Sequence, residues 1–308
     1  MPKGLAVCAI LVSLVAGIVS SCAKKPVNVW YVEQGLENVW ARVLRESGPP
    51  EPFGETRVWE GDVITKGPAI LIAAKPWEKQ EQVTVYRRLS WDLEYQGAIA
   101  LALDPWMVFR KHTEPGLTVE RVYSETGGSG LLLIPGRDKA SVRAWTARLI
   151  QSQPGVFPSD ENVWREWETR LFSANRFPGG SQTYTWNDVF FRLMGNETAW
   201  VYAPLSAIRH YNNPRKAILE ATAFPEAGND TQYSLQASLL WAVPIGADEE
   251  QEKLAETIKW LKKPETQTVI ADILGWIPAD PYGAPFDPMS LNSHRNWLTA
   301  AYVYEVNE

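Results

Sequence analysis

Residues 252–279, EKLAETIKWLKKPETQTVIADILGWIPA, say more about the architecture than any other part of the chain. Leu254, Ile258 and Leu261 fall at i, i+4 and i+7, one apolar stripe on a helix running to about Lys262, and Asp248 with Gln251 makes a capping box ahead of it. Lys262 and Lys263 sit where a helix C-terminus favours cations. Pro264 cannot continue that helix but suits the opening turn of a second, whose positive first turn receives Glu265. Val269, Ile270, Ile273 and Leu274 give the second helix an apolar face, Gly275 is placed to end it in the left-handed conformation, and Pro278 closes the unit.

Outward from this pair of helices, strand-like runs alternate with helical ones, the pattern of an α/β architecture. Strands are expected at 27–32, 69–73, 83–86, 99–103, 131–134 and 239–243; the run Ala69 to Ala73 is continuously apolar, as a strand covered on both faces would be. Helices are expected at 36–46, 139–151 with Asp138 as its cap, 163–171 and 186–194. A Pro-rich loop runs through Pro49, Pro50 and Pro52, and Leu103-Asp104-Pro105-Trp106 reads as a strand, an Asp-Pro turn and an aromatic continuation. That segment fits either a crossing between two lobes or a turn between core strands. No internal repeat or flexible linker is visible.

The helical pair, on Trp260, Leu261, Pro264, Glu265, Gln267, Gly275, Ile277, Pro278 and Ala279, resembles the extracellular solute-binding proteins of ABC importers, in particular the maltose-binding-protein-like, sugar-binding family. Tyr95, Gly97, Asp104, Pro105, Trp106 and Phe109 extend the likeness, with loose spacing, into the family's first lobe crossing; Ala199 to Tyr202 resembles its helix-to-strand step without the family's own motif. The resemblance implies an α/β, two-lobe, periplasmic-binding-protein-like fold of type II with interleaved lobes and a hinge cleft. It places 22–104 and 234–285 in the first lobe, and 105–233 and 286–308 in the second. The family's longer helical tail is replaced here by His294 to Glu308.

The first 21 residues read as an export signal: Lys3 supplies charge, and Gly4 to Val19 is apolar apart from Ser13, short of the about 20 residues a spanning helix needs. Val19-Ser20-Ser21-Cys22 resembles a bacterial lipoprotein signal, in which Cys22 becomes the lipidated first residue; an ordinary secretory signal with an incidental Cys is the alternative. With Cys8 removed and Cys22 acylated, no disulfide is available, so the core alone has to hold the fold. The implied location is a bacterial membrane surface, facing the periplasm or exterior.

Composition narrows the function. A formal charge of −6 with interspersed signs disfavours nucleic acid as a partner. His112, His210 and His294 show no zinc spacing, so no metal and no cofactor are expected. The run Thr126 to Gly130 lacks the Lys-Ser/Thr ending of a phosphate loop and reads as a turn, and no nucleophile elbow appears. Glu166 with Glu168, and Asp160 with Glu161, lie among Trp and Arg as glycosidase carboxylates would, but on a helix such pairs point apart and suit solvated faces.

Tryptophan is the outlier, with 15 residues, and its flat face with a polar edge suits stacking on a sugar ring. The expected ligand contacts are Asp104 and Trp106 at the first crossing, Trp200 and Tyr202 from the second lobe, Trp241 at the return crossing, and Trp276 in the Gly-Trp-Ile-Pro turn. Each also fits a place in the core; Trp241, inside an apolar strand, reads more as core, and Trp276, beside Gly and Pro in a turn, more as cleft. The function implied is that of a monomeric, non-enzymatic receptor handing a small solute, of carbohydrate kind, to ABC permease subunits. A surface lipoprotein acting as an interaction component on the same scaffold is the second reading, and an anchored glycosidase the third.

Overall fold

The computed structural model describes residues 28–50, 53–64, 67–74, 83–87, 94–111, 132–151, 161–173, 178–195, 197, 200–211, 219–222, 234–247, 252–285, 287–299 and 302–306. The export signal with Cys22, the Asp248 and Gln251 capping box, the Gly-rich run and His112 lie outside these residues.

The chain opens with β1 (Asn28–Glu33), α1 (Glu37–Ser47), β2 (Phe53–Trp59) and β3 (Ala69–Ala73). Strand β1 pairs in parallel with β2 on one side and β3 on the other. Then come β4 (Val83–Arg87), β5 (Glu94–Tyr95) and the long β6 (Ala98–Lys111). The next stretch holds β7 (Leu132–Leu133), α2 (Lys139–Gln151), α3 (Glu161–Ser173), a 3-10 turn (Pro178–Thr183), α4 (Trp186–Met194), β8 (Trp200–Pro204), α5 (Leu205–Tyr211) and β9 (Leu219–Thr222). The return strand β10 (Ser234–Ile245) leads to a short 3-10 turn, α6 (Ala255–Leu261), α7 (Pro264–Leu274), β11 (Ile277–Pro278), α8 (Pro288–Thr299) and β12 (Tyr302–Val306).

The strand order β2-β1-β3-β10-β6-β8-β7 joins two sheets through β6. Residues 99–105 of β6 ladder antiparallel onto β10, and from Trp106 onward the same strand ladders onto β8 and β9. The Asp-Pro turn expected at 104–105 is therefore a continuous strand. Proline lacks a ladder donor and belongs where pairing changes hands; Pro105 is the last residue paired with β10 before the strand changes partners.

Three apolar clusters follow. One lies between β1, β3, β6 and β10 and the helices α1, α6 and α7, centred on Trp30, Trp40 and Trp260, with the Trp30 ring 5.1 Å from Trp40 and 6.2 Å from Trp260. A second runs along the other face of β6 and β10 with Met107, Phe109, Leu239, Trp241 and Trp297. The third joins the second sheet to α2 through Trp106, Trp145, Trp200 and Tyr202.

The opening pair of helices forms as its sequence reads. Pro264 starts α7, and Gly275 ends it at φ 78°. Gln267, buried, explains the polar residue in that motif: its Nε2 donates to the Leu261 and Ala100 carbonyls, while its Oε1 accepts from Asp280 N at 2.6 Å. One amide thus ties the end of α6 to β6 and to the segment beyond Pro278. Asp138 caps α2 as expected, accepting from Ser141 N at 2.8 Å. Helix α4 carries a capping box of Thr185 and Asp188. Strand β12 pairs in parallel with β10 and antiparallel with β4, both from segments expected in the first lobe.

Candidate functional site

In the first sheet the chain starts at β1 and then adds strands on both sides, so β1 marks a switch point. Ligands of open α/β sheets bind outside the carboxyl ends of strands at such a point. Here those ends are Glu33 to Gly35, Trp59 to Ile64 and Ala74. Glu33 joins two of them, its Oε2 accepting from Ala74 N, and Gln34 N donates to the Trp59 carbonyl at 3.3 Å. Gly35 and Gly61 turn the chain at φ 95° and 98°, conformations that side chains adopt at a cost. Tyr31, Val58, Trp59, Glu60, Asp62, Val63 and Ile64 line a recess of about 220 Å3. The Trp59 indole is steered there by its Nε1, which donates to the Asp62 carbonyl at 2.8 Å. Chemically the recess offers aromatic faces beside carboxylate acceptors.

The matching edge of the second sheet is the carboxyl end of β7. Gly136 N donates to the Ser181 carbonyl at 3.1 Å, and Arg137 N to that of Tyr184 at 3.1 Å, so the 3-10 turn lies directly over this edge.

Asp104, 5% exposed, sits where β6 passes from one sheet to the other. Its Oδ1 accepts from Ser206 N at 2.9 Å and its Oδ2 from the Ser206 hydroxyl at 2.5 Å, which fixes the start of α5. Burial pushes its pKa up to about 6, against the opposing pull of the Ser206 bonds and Arg209. An unfolded aspartate titrates near 3.8, so between 3.8 and about 6 the folded chain holds more protons. Stability from this group is therefore present at low pH and lost as pH rises through that window, with a slope of at most about 1.4 kcal/mol per pH unit. Urea midpoints measured from pH 4 to 7.5 should fall across the window in the wild type, and Asp104→Asn should flatten that part of the curve.

The other expected contacts are placed as follows. Trp106, Trp200 and Tyr202 are buried in the third cluster; the Trp106 and Tyr202 rings are 5.5 Å apart, and the Tyr202 hydroxyl donates to Gln236 Oε1. Trp241 is fully buried and its Nε1 donates to Glu305 Oε1 at 2.8 Å. Trp276 is partly buried against the first cluster. The structure brings Trp106, Tyr202 and Trp200 together in that cluster and leaves Trp241 and Trp276 apart from them. The recess residues Tyr31, Trp59, Glu60 and Asp62 were not among the expected contacts; Trp59-Glu60-Gly61-Asp62, an aromatic, an acid, Gly and an acid at the end of β2, is a local signal for three of them, and Tyr31 has none. Glu166, a carboxylate that resembled a glycosidase acid, is paired with Arg170 on an exposed helix face. Among the described residues, no group of His, Cys, Asp and Glu is arranged to hold a metal ion, and no helix is long and apolar enough to cross a membrane.

Two sheets sharing one long strand, with a return strand beside it, define the two-lobe periplasmic-binding-protein-like fold of type II, with interleaved lobes and a hinge cleft. Solved structures agree on that class. AcbH, a bacterial solute receptor with an exclusive preference for β-D-galactopyranose, is 10% identical, with 90% of this chain and 86% of that one aligned at a TM-score of 0.60. A probable secreted solute-binding lipoprotein from Streptomyces coelicolor is 12% identical, over 91% of this chain and 89% of the other, at 0.57. An extracellular solute-binding protein from Staphylococcus aureus in complex with maltose is 10% identical, over 90% and 87%, at 0.54. No family model and no curated protein matches the sequence.

Proposed function

We propose that this chain is a lipid-anchored extracytoplasmic receptor that closes two lobes on a small polar solute, of carbohydrate kind, and hands it to the permease subunits of an ABC importer. The observation that carries this reading is the recess at the carboxyl edge of the first sheet, in a fold shared with solute receptors over about nine-tenths of the chain. Trp59 and Tyr31 offer ring faces to the apolar side of a sugar, and Glu60 and Asp62 accept hydrogen bonds from its hydroxyls. Trp276 is the partly exposed member of the contacts expected from sequence, and we assign it to the rim of the cleft. Asp104, Trp106, Trp200, Tyr202 and Trp241 act by fixing the crossing strands and the second lobe behind it. Lipidation at Cys22 keeps the receptor at the membrane, and the chain works as a monomer without a catalytic step.

Titration calorimetry against galactose, maltose and longer glucans tests this. One member of the panel should bind with measurable heat, and Trp59→Ala should weaken that binding about 30-fold, the loss of roughly 2 kcal/mol that follows removal of a central aromatic contact. Binding unchanged in Trp59→Ala would remove the recess from the site.

A further inference from the structure

The side chains around the recess at the carboxyl edge of the first sheet are one-sided in their hydrogen bonding. Glu60 and Asp62 bring two carboxylates, which only accept, and among the described residues neither carboxylate is engaged by a hydrogen bond or an ion pair. The other acids of this edge are engaged: Glu33 Oε2 accepts from Ala74 N, and Glu37 Oε2 from Gly35 N at 2.8 Å. Trp59 has a single polar hydrogen, spent on the Asp62 carbonyl at 2.8 Å, so the indole has only its ring to offer. Val58, Val63 and Ile64 carry no polar side-chain group. That leaves one side-chain donor in the lining, the Tyr31 hydroxyl, which accepts from Arg57. Arg57 is itself answered by Glu55, 2.8 Å away, and among the described residues no cation lines the recess.

A neutral sugar hydroxyl donates and accepts at once, and in this lining its oxygen finds little to accept from. An ammonium group carries donors and no acceptor, and its charge is drawn both to carboxylates and to the negative face of an aromatic ring. Glu60 and Asp62 also stand two residues apart on a turn about Gly61 at φ 98°, and a cation beside both relieves the repulsion between them. We infer that the recess selects a solute carrying a protonated amine, an amino sugar, over neutral carbohydrates: the sugar ring lies against Trp59 and Tyr31, and its ammonium donates to Glu60 and Asp62. The inference rests on the recess being the solute site and adds to that reading the charge of the solute.

Titration calorimetry at pH 6.5 with glucosamine, N-acetylglucosamine and glucose tests it, because the three share one ring and differ at one substituent. Glucosamine should bind at least about 10-fold more tightly than the other two, and half-molar sodium chloride should narrow the gap. Glu60→Gln combined with Asp62→Asn, both at exposed side chains, should abolish the preference. Glu256→Gln, at an exposed position of α6, removes a like charge elsewhere and should leave the preference intact. Equal affinities for the three sugars would overturn the proposal while leaving a sugar receptor in place. A preference that survives the double substitution, or one that Glu256→Gln also abolishes, would overturn it as well. Putrescine, an amine without a ring, separates the two claims: putrescine bound with no sugar bound keeps the ammonium and discards the carbohydrate, and binding of neither discards both.

Discussion

Trp241→Ala is expected to lower the free energy of unfolding by about 3–5 kcal/mol, the range for removing a buried Trp from a close-packed core. Trp241 is wholly buried in β10, and the residues paired with it on the two flanking strands are Ala73 and Ala100. Neighbours that small cannot reach across to refill the space, so the cavity should persist. The substitution also strips the indole N–H from Glu305, itself buried, on the strand that ties the C-terminal segment to β10. For a domain whose whole stability is typically about 5–15 kcal/mol, that loss approaches unfolding. Trp241→Phe separates the two effects: it keeps most of the volume and removes the donor, and should cost about 1–3 kcal/mol. Urea unfolding followed by far-UV circular dichroism measures both; midpoints unchanged in both variants would show that the ring is not the core of the crossing.

The second large effect is expected from Gly136→Ala, although it adds a single methyl group. A Cβ at this position would stand 2.5 Å from Gln182 Cα and 2.6 Å from its carbonyl oxygen. Both are backbone atoms and cannot swing aside as a side chain can. The 3-10 turn over β7 would have to lift, stretching the Gly136 to Ser181 and Arg137 to Tyr184 bonds together. Overpacking and two weakened backbone bonds amount to about 3 kcal/mol or more. The turn should also become a site of limited proteolysis, while a midpoint within error of wild type would show that the turn moves freely.

What the sequence disclosed and what it concealed follow from the range of the forces involved. The helical pair was legible because Pro264, Gly275 and the apolar spacing act within a few residues of themselves. Helices α2 and α4 were legible for the same reason. At Asp104-Pro105 the local signal is a turn, and the sequence leaves open a lobe crossing or a turn between core strands; β10 and β8 pair with the two halves of β6 and hold it extended through that point. Strand β2 was not read at all: Gly54 to Val58 is exposed and carries little apolar alternation, and parallel pairing with β1 is what orders it. Strand β12 owes its place to partners far away in sequence, β4 and β10.

The candidate site follows the same rule. Trp106, Trp200 and Trp241 stand inside apolar strands, where an aromatic ring fits the core as well as a cleft and Trp241 reads more as core, and their strands bury all three. Tyr31 and Trp59 reach one recess because β1 and β2 lie side by side in parallel register, a relation between strands that neither strand's own sequence encodes.

The central claim is that two lobes close around a small polar solute. Its most direct test is small-angle scattering of the protein at pH 7.5 before and after adding each member of the sugar panel, with the melting temperature recorded on the same samples. A smaller radius of gyration together with a higher melting temperature for one sugar is the expected result. An unchanged radius and an unchanged melting temperature across the whole panel would contradict it.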